Sequence, residues 1–197
     1  LLRRAYQEGQ RILQDTWAKR QAGLPVATPY EALVLASIIE KETGHGPDRR
    51  RVSGVFTNRL KIGMLLQTDP TVIYGMGENY QGRIRKRDLQ TDTPWNTYTR
   101  PGLPPTPIAA AGRAALLAAV QPEQHKYLFF VSRGNGTSEF AENLSGHNRN
   151  VSRYILGQGQ TTRPTAVPAP AGAPNAPAAA PADPGPAAGA SPETCLL

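Results

Sequence analysis

The sequence is poor in residues that would announce a function by themselves. A single cysteine, Cys195, stands in 197 residues, which excludes an internal disulfide and a metal site built from thiolates. It lies third from the end, so it does not make a prenylation box. His45, His125 and His147 are scattered, without a spacing such as His-Glu-x-x-His; neither a metal nor another cofactor is expected. No apolar run is long enough to span a bilayer, and no segment reads as a signal peptide. Internal repeats, basic repeats, aromatic-interleaved RNA motifs and zinc-finger spacings are also missing.

What is present divides unevenly. From Gly157 the chain turns Ala/Pro/Gly-rich, holding nine of the 19 prolines and no aromatic. Such a segment buries too little apolar surface to offset its ordering entropy, so 157–197 is expected to be a disordered tail. Residues 1–156 are expected to form one folded domain around a single core. The chain starts inside a helical pattern without an initiator Met and reads as an N-terminally truncated fragment.

Net charge is +7, and the tail carries Arg163 against Asp183 and Glu193, which leaves the first 156 residues at +8. A basic domain favours an anionic partner, or has a surface adjusted for solubility.

The spacing predicts a helix over the first segment, ended by Gly23 and Pro25. Thr28-Pro29-Tyr30-Glu31 then combines an N-cap Thr, a Pro at the first helical position and a Glu three residues after the cap. The helix it starts is apolar nearly all round, hence central and buried, and is expected to stop at Gly44. Pro47 starts another, with Val52, Val55, Phe56 and Leu60 as its stripe and Gly63 as its end. Asp69-Pro70 reads as a second cap-then-proline start, and Thr106-Pro107 as a third, for a helix through Ala109–Val120. Residues 75–105 look irregular, as functional loops of that length often are. Tyr127–Val131 reads as a buried strand turning at Gly134-Asn135-Gly136 into a partner near Thr137–Phe140. Met64–Gln67 is a candidate third strand. Ser145–Asn148 is read as capping a last helix, with ligand contact as the alternative. The fold class is α+β: a helix-rich domain with a small antiparallel sheet.

Two acids end the central helix. Three, four and seven residues before Glu42 stand Ile39, Ile38 and Leu35, whereas Glu40 follows Ser37, Ala36 and Leu33 at the same spacings. An apolar wall disfavours a carboxylate and raises its pKa. Glu42 is therefore the better proton donor, and Glu40 the secondary candidate, better placed to pair with an arginine of the following helix. Both acids could instead merely decorate a helix end. Gln67, Thr68, Asp69, Asn96, Thr97 and Tyr98 are candidate polar groups for holding a ligand. Asp69 could cap a helix instead, and Asn96 could hold a turn. The run Arg83–Arg87 reads as an exposed basic loop, with peptide carboxylates or an anionic polymer as its alternative partners.

The motifs Ala36-Ser37-Ile38-Ile39-Glu40-Lys41-Glu42-Thr43, Val55-Phe56-Thr57-Asn58-Arg59-Leu60, Leu66-Gln67-Thr68-Asp69-Pro70-Thr71-Val72-Ile73-Tyr74-Gly75, Asn96-Thr97-Tyr98 and Gly102-Leu103-Pro104-Pro105 resemble those of the MltG (YceG-like) endolytic murein transglycosylases. The resemblance runs from about Thr28 to Ile155. It implies a lyase that cuts the MurNAc–GlcNAc β-1,4 bond inside glycan strands and leaves 1,6-anhydro ends, with Glu42 as general acid and then base. It implies peptidoglycan strands as the partner, peptidoglycan synthases as further candidates and no nucleic acid. The implied location of the intact protein is the periplasmic face of the bacterial inner membrane, held through an N-terminal anchor missing from this fragment, which is expected to be soluble. The alternative from the residues alone is a non-catalytic basic module that docks cell-wall glycan or nucleic acid.

Overall fold

The start signal at Thr28 works as the sequence predicts. In the computed structural model, which describes residues 2–157, the Thr28 hydroxyl accepts the Glu31 N–H at 3.2 Å. The Glu31 carboxylate reaches back one residue further than a capping box requires, to the Ala27 N–H at 2.6 Å. Helix α2, Pro29–Glu42, follows, with Ala32 and every residue from Val34 to Ile39 buried. It ends two residues before Gly44, at a C-cap Thr43 whose backbone is extended.

Around α2 pack α1 (Leu2–Trp17), α3 (Gly46–Lys61), α4 (Asp69–Met76) and α6 (Arg113–Val120). The short α5 (Lys86–Gln90) rests on α4. Leu35, Ile38 and Ile39 of α2 meet Val52, Val55 and Phe56 of α3, Leu66, and Ala115, Leu116 and Ala119 of α6 in one core. Each such large aliphatic side chain stabilises the fold by about 1.5–3 kcal/mol on burial.

Strands β1 (Phe129–Ser132) and β2 (Ser138–Ala141) pair antiparallel, with Phe130 opposite Phe140. Gly134 and Gly136 of the connecting turn take φ of 77° and 83°, which side chains avoid. Phe130 meets Phe56 edge-on, ring centroids 6.0 Å apart, and so fastens the hairpin to α3. Helix α7 (Leu144–Val151) closes the described chain with a π-turn over Ser152–Leu156. Its cap is Asn143, whose side chain accepts the Gly146 N–H at 2.9 Å; Ser145–Asn148 lie inside the helix. The helix-rich α+β class expected from the sequence is the class observed.

Three further local expectations are corrected. Met64–Gln67 is no strand, because its polar backbone is spent elsewhere. The carbonyls of Leu65 and Leu66 accept from the Arg59 guanidinium, the Gln67 N–H goes to the Thr97 carbonyl, and Gln67 sits at a left-handed φ of 51°. The helix expected after Thr106 begins only at Arg113. Thr106 Oγ1 accepts from the Trp95 indole at 2.9 Å, and the Ile108 N–H donates to Ser37 Oγ at 2.9 Å, which holds this stretch against α2. Thr68, not Asp69, is the N-cap residue of α4. The tail beyond Gly157 lies outside the described residues, as does Cys195.

Candidate active site at the end of helix α2

Helical phase carries Glu40 and Glu42 to different neighbours. Glu40 accepts the Gly112 N–H at 2.9 Å, where α6 begins. No arginine of α3 is its partner; the carboxylate sits instead at a helix N-terminus, where negative charge is favourable. Glu42 turns into the molecule. It accepts a hydrogen bond from the Thr68 hydroxyl. Burial pushes its pKa up to about 7; the Thr68 bond opposes this, nearby Asp69 adds to it, and the Arg59 cation draws it back slightly. A carboxyl near 7 is divided between its two protonation states at neutral pH, the condition a group needs to give a proton and take one back.

Thr68 is free for this bond because it makes no side-chain cap for α4. Its backbone is fixed on both sides: the N–H donates to Thr97 Oγ1 at 3.1 Å, and the carbonyl accepts from Thr71 Oγ1 at 2.7 Å. Thr71 and Thr97 share a further hydroxyl bond of 2.8 Å. All three threonines are buried, so the hydroxyl facing Glu42 is held by a closed polar network.

Asp69, the first residue of α4, accepts from the Tyr98 hydroxyl at 2.5 Å. Burial raises the Asp69 pKa while the Tyr98 bond lowers it, and burial beside this carboxylate pushes the Tyr98 phenol far up. Asn96 is fully buried; its amide donates to the carbonyls of Leu89 and Thr91 and accepts the Tyr98 N–H. It holds the turn that presents Tyr98. Gln67 is half-buried beside Thr68.

Glu42 also lines a cleft of about 160 Å³. Its walls are the end of α2 (Lys41 to Gly44) and the hairpin, through Phe130, Ser132, Gly136, Thr137 and Ser138. The hairpin is fastened there by α3, since Asp48 Oδ2 accepts the Ser138 N–H at 2.8 Å. Glu42 thus stands between two surroundings: a polar network of Thr68, Asp69 and Tyr98 on one side, and a hydroxyl-bearing cleft on the other. The structure brings Glu42, Thr68, Asp69 and Tyr98 together, with Gln67 next to them; it sets Glu40 apart and places Asn96 behind. Among the described residues no group of three His, Cys, Asp or Glu side chains comes together to hold a metal ion.

Two features escaped the sequence reading. One is the cleft wall supplied by the hairpin, which required knowing where β1 and β2 dock. The other is Arg59, wholly buried, donating to the carbonyls of Leu128, Leu65 and Leu66 and lying over the Phe129 ring at 5.2 Å. Burial lowers its pKa to about 10. It stands three residues from Phe56, four from Val55 and seven from Val52, so the helical period of the apolar stripe pointed to it.

Comparison with known proteins places the chain in a family. A Bacillus subtilis protein named endolytic murein transglycosylase is 43% identical over 126 residues, which are 64% of this chain and 35% of that protein. A protein of the same name from Streptococcus pneumoniae is 32% identical over 133 residues, 65% of this chain and 24% of its own length. The crystal structure of a yceG-like protein from Listeria monocytogenes superposes with a TM-score of 0.58 at 41% identity, covering 62% of this chain and 40% of that one. The chain thus spans about a quarter to a third of the curated relatives it matches. Residues 1–153 match the YceG-like family throughout, and the chain belongs to that family.

Proposed function

We propose that this chain is the catalytic part of a lytic transglycosylase that cuts peptidoglycan strands internally. One observation carries the reading: a carboxyl with its pKa raised to about 7 that lines a cleft. The names of its relatives in Bacillus and Streptococcus point the same way.

In this reading Glu42 protonates the glycosidic oxygen of a MurNAc–GlcNAc β-1,4 bond, and the GlcNAc-bearing strand leaves as an alcohol. The ionised carboxylate then takes the proton of the MurNAc C6 hydroxyl as that oxygen closes onto C1, which yields a 1,6-anhydro end and returns Glu42 to its starting form. Glycosidases that use water need two carboxylates. Here the internal hydroxyl is already held at the reacting carbon, so one suffices. Thr68 holds the carboxyl in place and stabilises it once ionised, Asp69 with Tyr98 sets the local charge, and Asn96 supports Tyr98. In the intact protein this domain would work at the periplasmic face of the inner membrane, beside the synthases that make its substrate.

Incubation of purified peptidoglycan with the protein, followed by mass spectrometry of the fragments, tests the reading. Anhydro-ended muropeptides from the wild type and none from a folded Glu42→Gln protein are expected. Equal output from both would leave a glycan-binding module as the better account.

A further inference from the structure

The basic residues of the run Arg83-Ile84-Arg85-Lys86-Arg87 are exposed, as expected, and the run finds no role in the site around Glu42. Arg83, Arg85 and Arg87 line one cavity of about 440 Å³, together with Asn79 and Gln81. That volume falls in the range of small-ligand sites, about 300–1,000 Å³. Most such sites are largely apolar, whereas this one is walled by guanidinium and amide groups, which selects for an anion.

Its internal neutralisation is incomplete. Asp88 is the acid in the wall. One of its oxygens accepts the Arg85 backbone N–H at 2.7 Å, and the other lies 3.6 Å from Arg87. A single carboxylate, half engaged with backbone, therefore faces three exposed guanidinium groups. Planar guanidinium forks match carboxylates two bonds at a time.

The position of the cavity relative to Glu42 bears on which carboxylate it would take. Helix α4 starts beside Glu42 at Thr68 and Asp69, and its last residue, Met76, forms part of the cavity wall. Its eight residues at about 1.5 Å each separate the two places by about 12 Å, the scale of one disaccharide repeat. A glycan strand that reacts at Glu42 and runs along α4 would bring the peptide carried by a neighbouring sugar over these arginines.

We propose that the Arg83–Arg85–Arg87 cavity is a subsite for the carboxylates of stem peptides on the strand being cut, so that the protein reads peptide-bearing glycan in preference to bare glycan. This rests on the transglycosylase reading above. The test uses the full chain carrying Glu42→Gln, which removes turnover from the measurement, and compares its affinity for glycan oligomers with intact stems and for the same oligomers stripped by an amidase. Stem-bearing oligomers are expected to bind about tenfold more tightly, a preference that weakens with added salt. Adding Arg83→Ala and Arg85→Ala should bring the ratio close to one, and Arg83→Glu with Arg85→Glu should bring it below one. Both positions are exposed, and thermal unfolding checks that the domain stays intact. A ratio near one in Glu42→Gln itself, or a ratio that survives both double substitutions, overturns the proposal. So does a preference for a phosphodiester polymer over stem-bearing glycan. Cleavage by Glu42→Gln at the wild-type rate would instead sink the catalytic reading, while the affinity ratio, read before turnover, would still decide the subsite.

Discussion

Glu40 and Glu42 stand two residues apart on α2, yet one carboxylate receives the Gly112 N–H at the start of α6 and the other receives the Thr68 hydroxyl at the start of α4. The first ties two helices together; the second faces a cleft. The two acids are expected to separate cleanly on substitution. Glu40→Ala removes an acceptor from a helix N-terminus and should cost about 1 kcal/mol of stability. Thermal unfolding checks the loss, and glycan cleavage at a temperature where the domain stays folded should persist.

Opposite displacements of the pH profile are expected from the two neighbours of Glu42. Because the reaction needs the protonated acid, the rate should fall as pH rises through about 7. Thr68→Val removes a donor that favours the ionised form, so the falling limb should move up by about one pH unit. Asp69→Asn removes a negative charge that resists ionisation, so the limb should move down. Rate–pH curves for both variants check the pair of signs. A total loss of cleavage in Asp69→Asn, with reducing rather than anhydro ends in the wild type, would restore a two-carboxylate hydrolysis.

The raised pKa of Glu42 also costs stability. Its folded value of about 7 lies above the 4.5 of an unperturbed glutamate, so between those values the native state holds a proton that the unfolded chain has released. Stability therefore falls as pH climbs through that window and stays reduced above it. Glu42→Gln should make the protein more stable than the wild type above pH 7, by up to about 3 kcal/mol, and give no such gain near pH 4. Denaturant unfolding at the two pH values measures the difference.

Arg59 should tolerate no substitution cheaply. Its guanidinium is shared among three carbonyls of two separate segments. Arg59→Ala leaves those acceptors buried and unpaired, at a cost of about 3 kcal/mol or more. Arg59→Lys should recover little of it, because an ammonium cannot reproduce the fork. Urea midpoints of the two variants beside the wild type provide the check.

The sequence carried the elements whose start and stop chemistry is local. Thr28-Pro29 opened α2 where expected, and the phase of Ile39, Ile38 and Leu35 singled out Glu42 for an apolar environment. Local signals failed where a distant group took the side chain or backbone they relied on. Thr106 lost its capping oxygen to Trp95, and Met64–Gln67 lost its ladder carbonyls to Arg59. The Thr68–Glu42 bond joins residues 26 positions apart, and no spacing rule could have supplied it. The hairpin side of the cleft was hidden for the same reason, since the contacts of Ser138 and Phe130 with α3 are tertiary.

The central claim is that the Glu42 carboxyl keeps its proton close to neutrality, and its own titration tests that most directly. With glutamate labelled at the side-chain carboxyl carbon, NMR follows each carboxyl through pH, and Glu42→Gln identifies the resonance by its disappearance. The account predicts an apparent pKa near 7 for that resonance. A value near the ordinary 4.5 would contradict it.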